Sequence, residues 1–172
     1  MKKLILSDKP LALPEIEHDD SIEFVDLSKR TIANCMGCFG CWVKTPGKCV
    51  IRDDAVKIYP RIAESDHVLY ISKVKYGSYD TIMKTMLERA IPIQQAFIRL
   101  LDGQTHHVQR DVALKEATII GYGDISEEEQ NIFRQLVHCN AKNMNFAHHR
   151  VFFASEENLE QAIREVLFSW ER

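Results

Sequence analysis

The sequence predicts an α/β fold, a doubly wound five-stranded parallel sheet in the order 2-1-3-4-5. Two observations carry this. Apolar runs rich in β-branched and aromatic residues recur at Leu4–Leu6, Ile22–Leu27, His67–Ser72, Ala117–Tyr122 and Val151–Ala154. They are nearly continuous rather than alternating, as in strands covered on both faces. Most are separated by stretches of helical periodicity. The length of 172 residues, with 45% hydrophobic and 27% charged residues, suits a single domain over residues 1–172 with one core.

The helices have recognisable starts. Ile82, Met83, Met86, Leu87, Ala90 and Ile91 form one face after Ser78 or Asp80. Ser126 and Glu129 have capping-box spacing and open a helix with Ile132, Phe133, Leu136 and Val137 on one side. Leu159, Ile163, Val166, Leu167 and Trp170 follow helical spacing after Ser155. Asp53 or Asp54 caps a helix through Val56, Tyr59 and Ile62, which Pro60 is expected to kink or restart. The crossover from Leu6 to Ile22 is short and holds Pro10, Pro14 and a polar tract, so the first helix is expected to be missing or reduced to a turn.

Net charge is −3 and no basic stripe exists, which argues against a nucleic-acid partner. No stretch reaches the roughly 18 apolar residues of a membrane span. The N-terminal apolar run, Leu4-Ile5-Leu6, is shorter than the ~7 residues of a signal peptide, and a cytoplasmic location is the expectation.

Four of the five cysteines cluster as Cys35-x2-Cys38-x2-Cys41-x7-Cys49. In a reducing compartment such clusters more often mark a metal or redox site than disulfides. Gly37 and Gly40 are expected to give the loop its backbone freedom, and the Pro46-Gly47 turn to bring Cys49 back toward the others. Four thiolates suit a [4Fe–4S] cluster or Zn²⁺, although a metal-free cysteine loop and a thiol–disulfide pair use the same residues. Trp42 either shields such a site from water or packs in the core. Cys139 is read as a small buried hydrophobe, and the pairs His106-His107 and His148-His149 as surface or loop histidines.

The run Cys35 to Asp54, with Gly37-Cys38, Cys41-Trp42, Pro46-Gly47 and Asp53-Asp54, resembles the cysteine loop of the flavodoxin-like NAD(P)H-dependent FMN reductase family, to which iron–sulfur flavoproteins belong. Val74-Lys75-Tyr76-Gly77-Ser78-Tyr79, then Met83-Lys84 and Leu87-Glu88-Arg89, resemble that family's stretch after strand three, and Asp102 to His107 resembles an insertion in some members. The resemblance implies a redox protein that moves electrons through FMN between NAD(P)H or a protein donor and an acceptor, often as a homo-oligomer. It implies Cys35, Cys38, Cys41 and Cys49 as ligands of a [4Fe–4S] cluster. For FMN it points to three loops, with Ser7 and Lys9 after strand one, Ser72, Lys73, Val74, Tyr76 and Gly77 after strand three, and Tyr122 and Gly123 after strand four; Tyr76 would stack near the ring. The chain departs from the family in its first loop, Ser7-Asp8-Lys9-Pro10-Leu11, which has no glycine, loses an N–H at Pro10 and places Asp8 near the expected phosphate. The alternative is a flavodoxin-like domain that has lost flavin and acts as a binding or assembly module.

Overall fold

The computed structural model describes residues 1–12 and 19–170. In chain order its strands are β1 (Lys3–Ser7), β2 (Ile22–Asp26), β3 (His67–Lys75), β4 (Ser78–Tyr79), β5 (Gln94–Leu101), β6 (Gln104–Gln109), β7 (Lys115–Tyr122) and β8 (Phe146–Ala154). The helices are α1 (Gly40–Val43), α2 (Ala55–Glu64), α3 (Thr81–Glu88), α4 (Glu127–Asn143) and α5 (Leu159–Trp170).

The main sheet runs β2-β1-β3-β7-β8, and every pairing along that path is parallel. This is the predicted 2-1-3-4-5 order. Strand residues alternate between two apolar layers. Leu4, Leu6, Val68, Tyr70, Ala117 and Ile119 face a core closed by Ile58, Ile62, Met83, Met86, Phe133 and Val137 of α2, α3 and α4. Ile5, Leu69, Ile71, Ile120 and Tyr122 face the other side, where Leu159, Ile163, Val166 and Leu167 of α5 cover them. A strand buried on both faces reads as an unbroken apolar run, which is why β1, β3 and β7 were legible.

Several expectations change. The crossover in which the first helix was expected to be missing or reduced includes residues 13–18, which lie outside the described residues. β8 starts at Phe146, not Val151, because its first half is an edge carrying His148, His149 and Arg150. α2 runs through Pro60 as one helix. Asp54 holds the N-cap position but its side chain makes no cap bond and accepts from the Thr31 N–H at 2.9 Å, while the Asp53 carboxylate accepts from the Ala55 N–H at 3.1 Å. α3 is capped by Asp80 and stops at Glu88; Met83, Met86 and the trailing Ala90 are buried, but Ile82 is exposed. Ser126 and Glu129 form the full capping box of α4. On that helix Cys139 is exposed rather than buried, since its position faces away from the sheet that Phe133, Val137 and Ala141 contact. His106 is buried rather than superficial, with Nδ1 3.0 Å from Asn143 Oδ1.

β3 turns back into the short antiparallel β4 through Tyr76 and Gly77, both at positive φ (53° and 69°). A side chain at Gly77 would also stand 2.6 Å from Ile132 Cγ2. Gly77→Ala is therefore expected to lower stability by roughly 1–2 kcal/mol, the cost of a left-handed non-glycine residue. Removing the contact as well, in Gly77→Ala/Ile132→Ala, should leave most of that loss in a urea titration; full recovery would show that crowding, not backbone strain, sets the cost.

Candidate functional site

Two regions carry the sequence-predicted residues. The first is the cysteine loop between β2 and α2. Gly37 and Gly47 take positive φ (63° and 80°) as expected, but the third left-handed residue is Phe39 (56°) rather than Gly40. Gly40 is needed for closeness instead: a Cβ there would lie 3.0 Å from Val50 Cγ1 and 3.5 Å from Cys38 Sγ. The turn at Gly47, whose N–H donates to Cys41 O at 2.9 Å, returns the chain toward Cys49.

Cys35, Cys38, Cys41 and Cys49 then line one apolar cavity together with Trp42 and Arg89. Cys41 is buried, Cys49 half-buried, and Cys35 and Cys38 exposed at the rim. Burial, and then the neighbouring Cys49, Cys35 and Cys38, push the Cys41 thiol above its ordinary range. Among the described residues no three His, Cys, Asp or Glu side chains stand grouped to hold a metal ion, so ligation requires the rim thiols to turn inward. The donor set nonetheless suits a thiophilic group. Two residues lining the cavity carry buried N–H groups without a partner among the described residues, Trp42 Nε1 and Arg89 Nε, and a sulfur-rich guest would offer acceptors to such groups. Trp42 stacks at an angle on Phe39 and His107, so it walls the cavity rather than filling the central core.

Sequence reasoning missed what holds this loop. Arg89, at the end of α3, is 1% exposed. Its guanidinium donates to Asp53 Oδ2 at 2.6 Å and Oδ1 at 3.0 Å, to Ala33 O at 2.7 Å, and to Cys49 Sγ at 3.4 Å. Burial opposes the charge on Asp53, but Arg89 and the Ala33 and Ala55 N–H groups hold its carboxyl below the usual carboxylate range. Arg89 thus ties both ends of the loop, and one cysteine, to α3.

The second region is the carboxyl edge of β1, β3 and β7, the switch point of the sheet. Here the organising residue is Asp8, which is 7% exposed. Its carboxylate accepts from the Lys73 N–H at 2.7 Å, the Ser72 hydroxyl at 3.0 Å and the Tyr122 hydroxyl at 2.7 Å. Burial raises the Asp8 carboxyl above its ordinary range, against these three bonds. Lys9 and Lys73 both pair with Glu156, at 3.6 and 3.0 Å. The Ser7 hydroxyl donates to Lys9 O at 2.7 Å. Ser7, Lys9, Ser72, Lys73 and Tyr122 therefore meet at one edge of the sheet. Val74 is buried in the core, Gly123 donates its N–H to Ala154 O at 3.1 Å, and Tyr76, 91% exposed, points away with its N–H on Glu129. The donors at this edge suit an oxyanion, and the anion they hold is the chain's own carboxylate.

The fold is flavodoxin-like, as its likeness to solved structures shows. With 10% identity and a TM-score of 0.62, 98% of the chain superposes on 94% of the azoreductase AzrA. An NAD(P)H:quinone oxidoreductase from Methanothermobacter marburgensis gives 0.58 at 12% identity over 90% of this chain and 86% of that one. An FMN-dependent NADH-azoreductase from Bacillus anthracis str. Ames Ancestor, solved with FMN, gives 0.56 at 12% over 98% and 97%. In sequence the chain is similar to an iron–sulfur flavoprotein of Archaeoglobus fulgidus, 38% identical over 82 residues, which is 47% of this chain and 36% of that protein. A second iron–sulfur flavoprotein, from Methanocaldococcus jannaschii, is 32% identical over 75 residues, 44% of this chain and 38% of its own length. The match thus spans little more than a third of either relative. No protein-family profile matches the chain. The resemblance to flavodoxin-like FMN reductases and iron–sulfur flavoproteins is borne out in sequence and in fold.

Proposed function

We propose that this chain is a single-domain, flavodoxin-like redox protein that transfers electrons through a [4Fe–4S] cluster on Cys35, Cys38, Cys41 and Cys49 and through FMN at the switch point. The observation that carries the reading is the convergence of four cysteines on one apolar cavity whose wall includes a buried guanidinium in contact with Cys49 sulfur. Similarity to two iron–sulfur flavoproteins supports it. When bound, the cluster supplies one-electron transfer and FMN supplies two-electron exchange with a nicotinamide donor. Cys35, Cys38, Cys41 and Cys49 would hold the cluster against the apolar cavity wall, with Arg89 bonded to the Cys49 sulfur, and the hydroxyl and N–H donors at the sheet edge, now bonded to Asp8, are the groups that would meet a flavin.

The electron donor is NAD(P)H or a small redox protein, and the acceptor a small molecule or protein. A cytoplasmic setting fits unpaired thiols. No helix among the described residues is long and apolar enough to cross a membrane. The β5–β6 hairpin exposes Phe97, Ile98 and Leu100 beside the cysteine loop, which supports a homo-oligomer joined there.

Anaerobic reconstitution with iron and sulfide should give a brown protein holding about four irons per chain, which bleaches on reduction. Cys38→Ala should lose that colour and iron while keeping its far-UV circular dichroism. Wild type that stays colourless and iron-free sinks the cluster. The second reading, a flavin-free binding or assembly module, is favoured by the Asp8 carboxylate already bonded to the edge donors. Absence of both FMN and riboflavin binding in every oligomeric form would establish it over the first.

A further inference from the structure

The carboxyl edge of the sheet is where this architecture places ligands, at the point where strands diverge to either side. In such sites a phosphate is held by backbone N–H groups after the first strand. Here those groups are already engaged. Asp8 N–H donates to Ile71 O at 3.1 Å and Lys9 N–H to Ser7 Oγ at 3.2 Å, while Pro10 has none. From β3 and β7 the Lys73 N–H and the Ser72 and Tyr122 hydroxyls converge on Asp8. The cations that would balance a dianion, Lys9 and Lys73, face Glu156. The arrangement is thus an oxyanion site built from three donors on two strands and filled from within, by a side chain on the residue that follows β1.

We infer that the Asp8 carboxylate is an internal stand-in for the flavin phosphate, and that it makes this edge of the sheet discriminate against phosphorylated flavin. FMN must displace Asp8 from its three donors and set a dianion beside the displaced carboxylate. Riboflavin, which shares the ring system and lacks the phosphate, meets neither obstacle. The inference rests on the flavin reading above and narrows it to the choice between two flavins. A purely structural role for Asp8, tying β1 to β3 and β7, would change stability but not that choice.

The test is a fluorescence titration of the full chain with FMN and, separately, riboflavin, for wild type, Asp8→Ser and Asp8→Asn at neutral pH. Wild type should bind riboflavin at least as tightly as FMN. Asp8→Ser frees the donors and should tighten FMN about tenfold or more, equivalent to about 1.4 kcal/mol, with riboflavin unchanged within about twofold. Asp8→Asn keeps the shape and one acceptor oxygen but removes the charge, and should give a smaller gain for FMN alone. It also keeps the test valid if the serine variant unfolds, which circular dichroism would reveal. Equal shifts for both flavins, or a wild type that prefers FMN tenfold, overturns the inference while leaving the flavin reading standing. Failure of both flavins to bind any of the three proteins overturns the flavin reading and this inference with it.

Discussion

Arg89→Leu is expected to destabilise the chain by about 3–5 kcal/mol, because it strips the partner from a largely buried carboxylate rather than removing a pair intact. Asp53 would keep its two N–H donors, from Ala33 at 2.9 Å and Ala55 at 3.1 Å, but lose both guanidinium bonds. The carbonyl of Ala33 would lose its donor too. Arg89→Lys should recover only part of the loss, since one ammonium cannot reproduce the fork that spans both Asp53 oxygens. Urea unfolding of Arg89→Leu, Asp53→Leu and the double variant measures the coupling. The double variant should cost clearly less than the sum of the singles. Single losses below about 1 kcal/mol would place the pair among weak surface-type ion pairs and remove it as the latch of the cysteine loop. The same variant bears on function: with Ala33, Ile51 and Cys49 released from α3, reconstituted iron per chain should fall along with stability.

Which parts of this could be read beforehand follows from where the physics is local. The central strands announce themselves because burial on both faces forces apolar residues into consecutive positions, as in Val68 to Ile71. The α4 cap is equally local, with Ser126 and Glu129 in reciprocal contact across three residues. The β5–β6 hairpin was hidden for the opposite reason: its apolar residues Phe97, Ile98 and Leu100 face out, so no buried pattern marks it. One signal was available. Asp102-Gly103, both at positive φ (49° and 75°), is the dipeptide of a tight hairpin turn. In the site, the cysteine spacing showed which residues gather but not what secures them, because Arg89 lies 36 residues from Asp53. Asp8 was recognisable as an unwanted charge near a phosphate. That it satisfies donors 64 to 114 residues away is a property of the sheet order and could not be read along the chain.

The second large effect is a pH dependence set by Lys115, at the opposite end of β7 from Tyr122. It is 1% exposed. Its ammonium donates to Ala113 O at 2.6 Å and Met144 O at 3.4 Å. Two carbonyls do not replace full hydration, and burial pulls the group down from 10.5 to about 8, with Asp66 only partly restoring it. Between those values the unfolded chain holds the proton and the folded chain does not. The unfolded state therefore binds more protons, and stability rises with pH by up to about 1.4 kcal/mol per unit. From pH 7 to pH 10 wild type should gain about 2–3 kcal/mol relative to Lys115→Met, whose methionine has nothing to titrate. The comparison with the variant matters because buried Tyr70, Tyr79 and Tyr122 act in the other direction. Burial raises their hydroxyls above the ordinary 10, so the unfolded state ionises first and stability falls as pH climbs past that value. Both proteins share that decline, and the difference between their urea midpoints isolates the lysine. A constant difference from pH 7 to pH 10 would mean that the Lys115 amine stays charged where it lies, with water reaching it between the two carbonyls.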